Sequence, residues 1–340
     1  MNLGLVCIGL GILTSFGCSS SNDDGQPQGG EVVKVEKFHN PIIQNSLPDP
    51  TVVKAEDGYY YLYATENIRN VPIYRSRNLI DWKYVGTAFT DESRPTWNPK
   101  GGIWAPDINY VDGKYVLYYS KSEWGGEWTC GVGVASATSP EGPFTDHGAL
   151  LISENIGVRN SIDPFYIEEN GKKYVFWGSF HGIYGIELTA DGLAIKPGSK
   201  PVQIAADQME ATYIHKRGKY YYLFGSAGTC CEGANSTYRV IYGRSESLFG
   251  PYVTKDGKRM LDGAFDVLIH GNGNVAGPGH NAEFITDDAG QDWIIYHGFD
   301  MKDPDAGRLV YMDRVEWLSD WPQVAGNMPS VESKKPVMGD

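Results

Sequence analysis

Pro48-Asp49-Pro50-Thr51-Val52-Val53, followed three residues later by Asp57-Gly58-Tyr59-Tyr60-Tyr61-Leu62-Tyr63, decides how the chain folds. A polar residue heads an apolar strand, an Asp-Gly pair makes a tight turn, and a Tyr-rich strand returns. The order recurs with Asp107, Asp163, Glu210 and His280 as heads, each before a Tyr- or Trp-bearing strand. The heads stand 58, 56, 47 and 70 residues apart. Between the copies lie further strand patterns, such as 73–76 with 82–85, 132–136 and 240–245. Gly-Pro-Phe follows at 142–144 and Gly-Pro-Tyr at 250–252. Each unit therefore holds about four strands in roughly 50–60 residues, a period that belongs to radial repetition. The sequence predicts an all-β fold, a five-bladed β-propeller. No sustained 3.6-residue patterning is present, so almost no helix is expected.

The 340 residues carry 42 Asp+Glu against 29 Lys+Arg, a formal charge of −13. Phosphate binding needs a basic surface, so a nucleic-acid partner is excluded, while a neutral or cationic substrate fits. Hydrophobic residues at 41% and aromatics at 13% are enough for a packed core. No Gly-rich phosphate loop, Ser nucleophile elbow or dinucleotide fingerprint is found.

Residues 3–16 form an uncharged apolar run, too short to span a bilayer, which takes about 20 residues. It reads as a signal h-region. Gly17-Cys18 and a polar stretch follow. This resembles a bacterial lipoprotein signal, despite a weak n-region and Ser15 at a position usually aliphatic. The expected organisation is a lipoprotein signal peptide over 1–17, lipidated Cys18, a polar tether over 18–35, a propeller over 36–324 and a C-terminal tail over 325–340. It implies a secreted monomer held at the cell envelope, periplasmic or on the surface, with Cys18 anchored in the outer membrane. An ordinary secretory leader is the alternative.

Beyond the leader only Cys130, Cys230 and Cys231 remain, so no complete disulfide framework exists. Adjacent cysteines seldom bond, so the expected bridge joins Cys130 to one of the pair at most.

If the five heads are equivalent, Asp49, Asp107, Asp163, Glu210 and His280 converge on one funnel. Buried like charges are costly unless they serve chemistry or bind a cation. A lone Asp-Pro is more often a mere strand start; carboxylates at the head of four successive repeats are not. Trp97, Trp104, Trp124, Trp128 and Trp177 are candidate stacking faces for a sugar, with Trp177 more simply a filler between blades and Trp104 the favoured contact. His147, His181 and His215 show no partner pattern, and His215 is expected at the surface.

At these residues the chain resembles glycoside hydrolase family 43, over about 45–320. The resemblance implies that Asp49 in Leu47-Pro48-Asp49-Pro50 is the general base. It implies that Asp163 in Asn160-Ser161-Ile162-Asp163-Pro164 tunes the acid, and that Glu210 in Met209-Glu210-Ala211-Thr212 is the acid. Gly102-Ile103-Trp104-Ala105-Pro106-Asp107 looks like the family's second-blade signature, and Trp104, Asp107, Asn160 and Ser161 are expected to contact the sugar. Cys230-Cys231-Glu232-Gly233-Ala234-Asn235-Ser236-Thr237-Tyr238 and Gly277-Pro278-Gly279-His280-Asn281 resemble arabinan-active members, where the His meets a central calcium or its waters. Calcium at His280, largely water-ligated because it prefers oxygen, is therefore an expectation. Endo-arabinanases carry His before the base, whereas this chain has Pro48. The resemblance implies inverting hydrolysis of α-L-arabinofuranosyl linkages in plant cell-wall polysaccharide or arabino-oligosaccharide, first as an endo-1,5-α-L-arabinanase. An exo-acting α-L-arabinofuranosidase or β-xylosidase is second, and a non-catalytic glycan-binding propeller is the reading from another class.

Overall fold

The structure is a computed structural model that describes residues 36–98 and 100–339. The expected signal peptide, Cys18 and tether lie outside the described residues. Among the described residues, five antiparallel sheets follow one another along the chain. The first holds Thr51–Lys54, Tyr60–Tyr63, Pro72–Ser76 and Lys83–Thr87. The second holds Gly102–Val111, Lys114–Ser122, Gly131–Ala137 and Thr145–Ile152. The third comprises Phe165–Glu169, Lys172–Trp177, Ile183–Glu187 and Val202–Ala205, and the fourth Glu210–Arg217, Tyr220–Ala227, Arg239–Ser245 and Asp266–Ile269. The fifth comprises Val275–Gly279, Asp292–Asp300, Arg308–Leu318 and Trp321–Gln323, with Ile285–Thr286 beside the second of these. This is the expected five-bladed propeller. Helix among the described residues amounts to Ser153–Ile156 and short 3-10 turns.

The Tyr-rich strands are what the blades share. Tyr60–Tyr63 is buried throughout, since a strand flanked by neighbouring sheets has no solvent face. Rings cross the blade boundaries: Tyr118 stacks on Tyr166 at 5.5 Å, Phe165 meets Tyr213 edge-on at 5.3 Å, and Tyr213 meets Phe284 at 5.4 Å. Such pairs contribute about 0.5–1.5 kcal/mol each beyond their burial. Trp177 is fully buried and serves this packing.

The ring closes through its ends. Lys37–His39 pairs with Glu332–Lys334, which lies in the expected tail, and Asn40 exchanges two hydrogen bonds of 2.9 Å with the Met312 backbone.

A left-handed residue stands at the same place in every blade: Asp49 (φ 56°), Ala105 (39°), Asp163 (58°), Ala211 (60°) and His280 (46°). Each costs of order 1–3 kcal/mol and persists only because its surroundings fix it. Here the fixing contact is a latch from the preceding blade, a side chain that accepts the left-handed residue's N–H. Thr65 accepts from Ala105 (2.7 Å), Ser120 from Asp163 (2.9 Å), Ser226 from His280 (2.8 Å), and His297 Nδ1 from Asp49 (3.1 Å). Between the third and fourth blades Asp163 itself accepts from Ala211 (3.1 Å).

This register corrects the expected heads. The equivalents of Asp49 are Ala105 and Ala211, not Asp107 and Glu210. In blades two and four the strand runs on past the left-handed residue, and the pairing shifts between Trp104 and Asp107 and between Glu210 and Tyr213.

Candidate active site

One mouth of the ring opens into a cavity of about 400 Å³ that Asp49, Asp163, Glu210, His280, Asn160 and Trp104 all border. Four of the five heads therefore converge as the sequence suggested. Asp107 does not. Displaced two residues along its strand, it is 3% exposed and accepts the Tyr166 N–H (2.7 Å) and the Asn109 amide (2.8 Å). Burial first, and then the neighbouring Glu283 carboxylate, raise its pKa well above the ordinary range. It ties blade two to blade three, and its expected contact with the sugar is withdrawn. Ser161 is likewise fully buried, donating to Val158 O (2.8 Å) and accepting from Trp177 Nε1 (2.9 Å). Those two bonds hold its hydroxyl in the interior, away from the cavity that its neighbour Asn160 borders.

Asp49 sits among cations. Its Oδ1 lies 3.1 Å from Arg308 Nη1 and 3.2 Å from His280 Nδ1, and its Oδ2 accepts from Thr65 Oγ1 (2.5 Å). Burial by itself would raise this carboxyl, but the charges of Arg308 and His280 overcome it and hold the pKa well below the usual carboxylate range. Burial would likewise lower His280; the Asp49 carboxylate, with Asp163 and Glu210 beyond it, instead lifts it to about 9. His297 is the opposite case: burial and then Arg308 push its pKa well below the ordinary value. Its Nδ1 accepts the Asp49 N–H, so the neutral ring carries its proton on Nε2, which has no partner among the described residues.

Glu210 sits among neutral hydroxyls. Tyr238 OH donates to Oε1 (2.7 Å) and Ser179 Oγ to Oε2 (2.6 Å), while Asn160 Nδ2 steadies Ser179 Oγ (2.9 Å). Burial raises the Glu210 pKa against the lowering pull of the two hydroxyls and of His280. Burial also lifts Asp163 to about 8, against the His280 charge and with Glu210 and Asp49 adding to the rise. Three carboxyls thus face two cations, Arg308 and His280, and the excess of negative charge falls on Asp163 and Glu210, whose pKa values are both raised.

The backbone beneath the acid leaves no room for change. A Cβ on Gly225 would collide with the Met209 side chain and lie 2.7 Å from Glu210 O, and one on Gly279 would strike the Tyr238 ring. On the opposite wall Trp104 packs against Trp124 with centroids 5.6 Å apart. Glu66 pairs with Arg94 and accepts the Ile103 N–H (2.8 Å), which anchors the strand that presents Trp104.

Cys230 and Cys231 also border the cavity, and they are bonded to each other. This corrects the expectation that adjacent cysteines stay apart. Cys130 is buried against Ser153 and Asn160, so the pair in the blade-four loop have only each other. His215 is corrected too: it is stacked on Trp317 at 5.6 Å and lies against Phe284, and burial lowers its pKa to about 4.

The calcium expected at His280 finds no side-chain cage. Calcium takes six to eight oxygen ligands. His280 Nδ1 is committed to Asp49, and among the described residues no group of three or more His, Cys, Asp or Glu is placed to hold a metal ion. The chemistry below is built from the side chains alone.

Two carboxyls with their pKa values pushed in opposite directions, bordering one cavity, are the equipment that glycoside hydrolysis uses. The chain belongs to the Glycosyl hydrolases family 43, whose sequence profile matches residues 38–322. It is 36% identical over 290 residues to the Extracellular endo-alpha-(1->5)-L-arabinanase 1 of Bacillus subtilis, covering 81% of this chain and 87% of that protein. It is 32% identical over 312 residues to the Extracellular exo-alpha-(1->5)-L-arabinofuranosidase ArbA of Cellvibrio japonicus, covering 83% and 87%. Among solved structures, the Cellvibrio cellulosa alpha-L-arabinanase complexed with arabinohexaose superposes with a TM-score of 0.75 at 32% identity, over 82% of this chain and 95% of that one.

Proposed function

We propose that the protein is an endo-1,5-α-L-arabinanase that hydrolyses α-L-arabinofuranosyl linkages with inversion. The observation that carries the reading is the pair of opposite environments in one cavity: Arg308 and His280 beside Asp49 hold its pKa well below the usual carboxylate range, while burial among neutral hydroxyls raises that of Glu210. Asp49 takes a proton from a water as that water attacks the anomeric carbon, and Glu210 gives its proton to the departing oxygen. Asp163, which accepts the Ala211 N–H beside the acid and whose charge opposes that of Glu210, favours the protonated acid and holds its strand in place. Trp104 and Trp124 offer the apolar wall for the pentose C–H faces. The names of the relatives support arabinan as substrate. Two of them are named extracellular, which supports secretion, and lipidation at Cys18 is part of the same reading. Pro48 before the base and the exo-acting Cellvibrio relative favour a second reading, release of single sugars from chain ends. Incubation with linear arabinan separates the two: a ladder of oligosaccharides is expected, arabinose alone means end-cutting, and no product from any arabino-substrate removes both.

A further inference from the structure

We propose that a shallow trough beside the acid, floored by Trp128 and Tyr184, holds the part of the arabinan chain that leaves on cleavage. The trough, about 540 Å³, starts where the catalytic cavity stops, and His181 borders both. Arg159 on its wall pairs with Glu127, which borders the catalytic cavity, and His181 Nε2 lies 3.9 Å from the same carboxylate. At its other edge are Ala206 and Asp207, a few residues ahead of Glu210 on the strip that Phe180 N–H ties down through Met209 O (3.0 Å). The trough therefore flanks the acid and not the base.

That side decides what occupies it, given the reaction proposed above, on which this inference rests. The acid protonates the oxygen of the departing sugar, so the chain beyond the cut leaves past Glu210. The surface there suits a neutral pentose polymer. Trp128 is 49% exposed, an aromatic face held at the surface, and Tyr184 is steadied against Trp177 at 6.2 Å. Arg159, Gln203 and Asp207 offer hydrogen-bonding groups along the rim for sugar hydroxyls. The Gln203 amide is already oriented by its bond to Ala205 O (3.0 Å). A cavity continued by such a trough has room on the leaving side for several sugars, as internal cutting requires.

The test compares chain lengths. Trp128→Ala is expected to lower kcat/KM for arabinohexaose and linear arabinan about ten-fold through KM, the equivalent of one well-made aromatic contact. Arabinotriose is expected to change by less than about two-fold. The same loss of hexaose affinity, without loss of triose affinity, is expected by calorimetry when Trp128→Ala is placed in a Glu210→Gln background. Equal losses on both substrates, or unchanged hexaose kinetics, would overturn the trough. A wild-type protein inactive on every arabino-oligosaccharide is a different result: it removes the proposed reaction, and this occupant with it.

Discussion

Two sides of one cavity carry the same functional group and treat it in opposite ways. Asp49 is buried, yet Arg308 and His280 surround it with positive charge; Glu210 is part-buried among the hydroxyls of Tyr238 and Ser179. The burial penalty falls on both carboxyls, so burial cannot be what distinguishes a base from an acid here. The partners are. A guanidinium and an imidazolium outweigh the burial penalty on Asp49, whereas two neutral hydroxyls fail to outweigh it on Glu210.

The largest way to break the comparison is to remove either carboxyl. Glu210→Gln and Asp49→Asn are each expected to lower kcat on arabinan by about 10³-fold or more, with the circular-dichroism spectrum unchanged. Asp163→Asn is expected to cost about 10²-fold. The charges of Asp163 and Glu210 oppose each other, so with the Asp163 carboxyl gone Glu210 gives up its proton more easily and the alkaline limb of the pH–rate profile moves to lower pH. An alkaline limb that stays put would remove the tuning role.

Arg308→Gln sharpens the other side. Arg308 is the strongest influence lowering the Asp49 pKa, so its loss lets that pKa rise and moves the acidic limb to higher pH. The activity loss is expected to be about ten-fold at the acidic end and smaller near neutrality. The smallest effect belongs to Tyr238→Phe. The hydroxyl favours ionised Glu210, so its removal raises the acid's pKa and moves the alkaline limb upward, with kcat changing about three-fold. Steady-state kinetics across pH checks all of these.

The same contrast shows what a sequence can carry. The blades were legible because turn, Tyr-rich strand and polar head recur at a near-constant period, and Asp49, Asp163 and Glu210 stood out as heads. Asp107 was misplaced because the left-handed turn falls at Ala105, and a bulge two residues upstream leaves no mark in a pattern of residue types. Ser161 was misplaced because motif membership says nothing of which way a side chain points. The cations that set the base's charge were mostly invisible. Arg308 reaches Asp49 across 259 positions of chain, and no local signal marks it. Tyr238 lay within a stretch already singled out by resemblance, yet its bond to Glu210 exists only once the fourth blade has folded. The disulfide between neighbours escaped for a related reason: spacing along the chain gave no hint that Cys130 is sealed beneath Asn160 and Ser153.

The pH dependence of kcat/KM for the unmodified enzyme on arabinohexaose reports the free enzyme's base and acid together. The account predicts a bell with its acidic limb below about 3.9, the ordinary aspartate value, and its alkaline limb above about 4.3, the ordinary glutamate value. A narrow profile with both limbs crossing near those ordinary values would contradict it, because Asp49 and Glu210 would then differ in charge over only a few tenths of a pH unit.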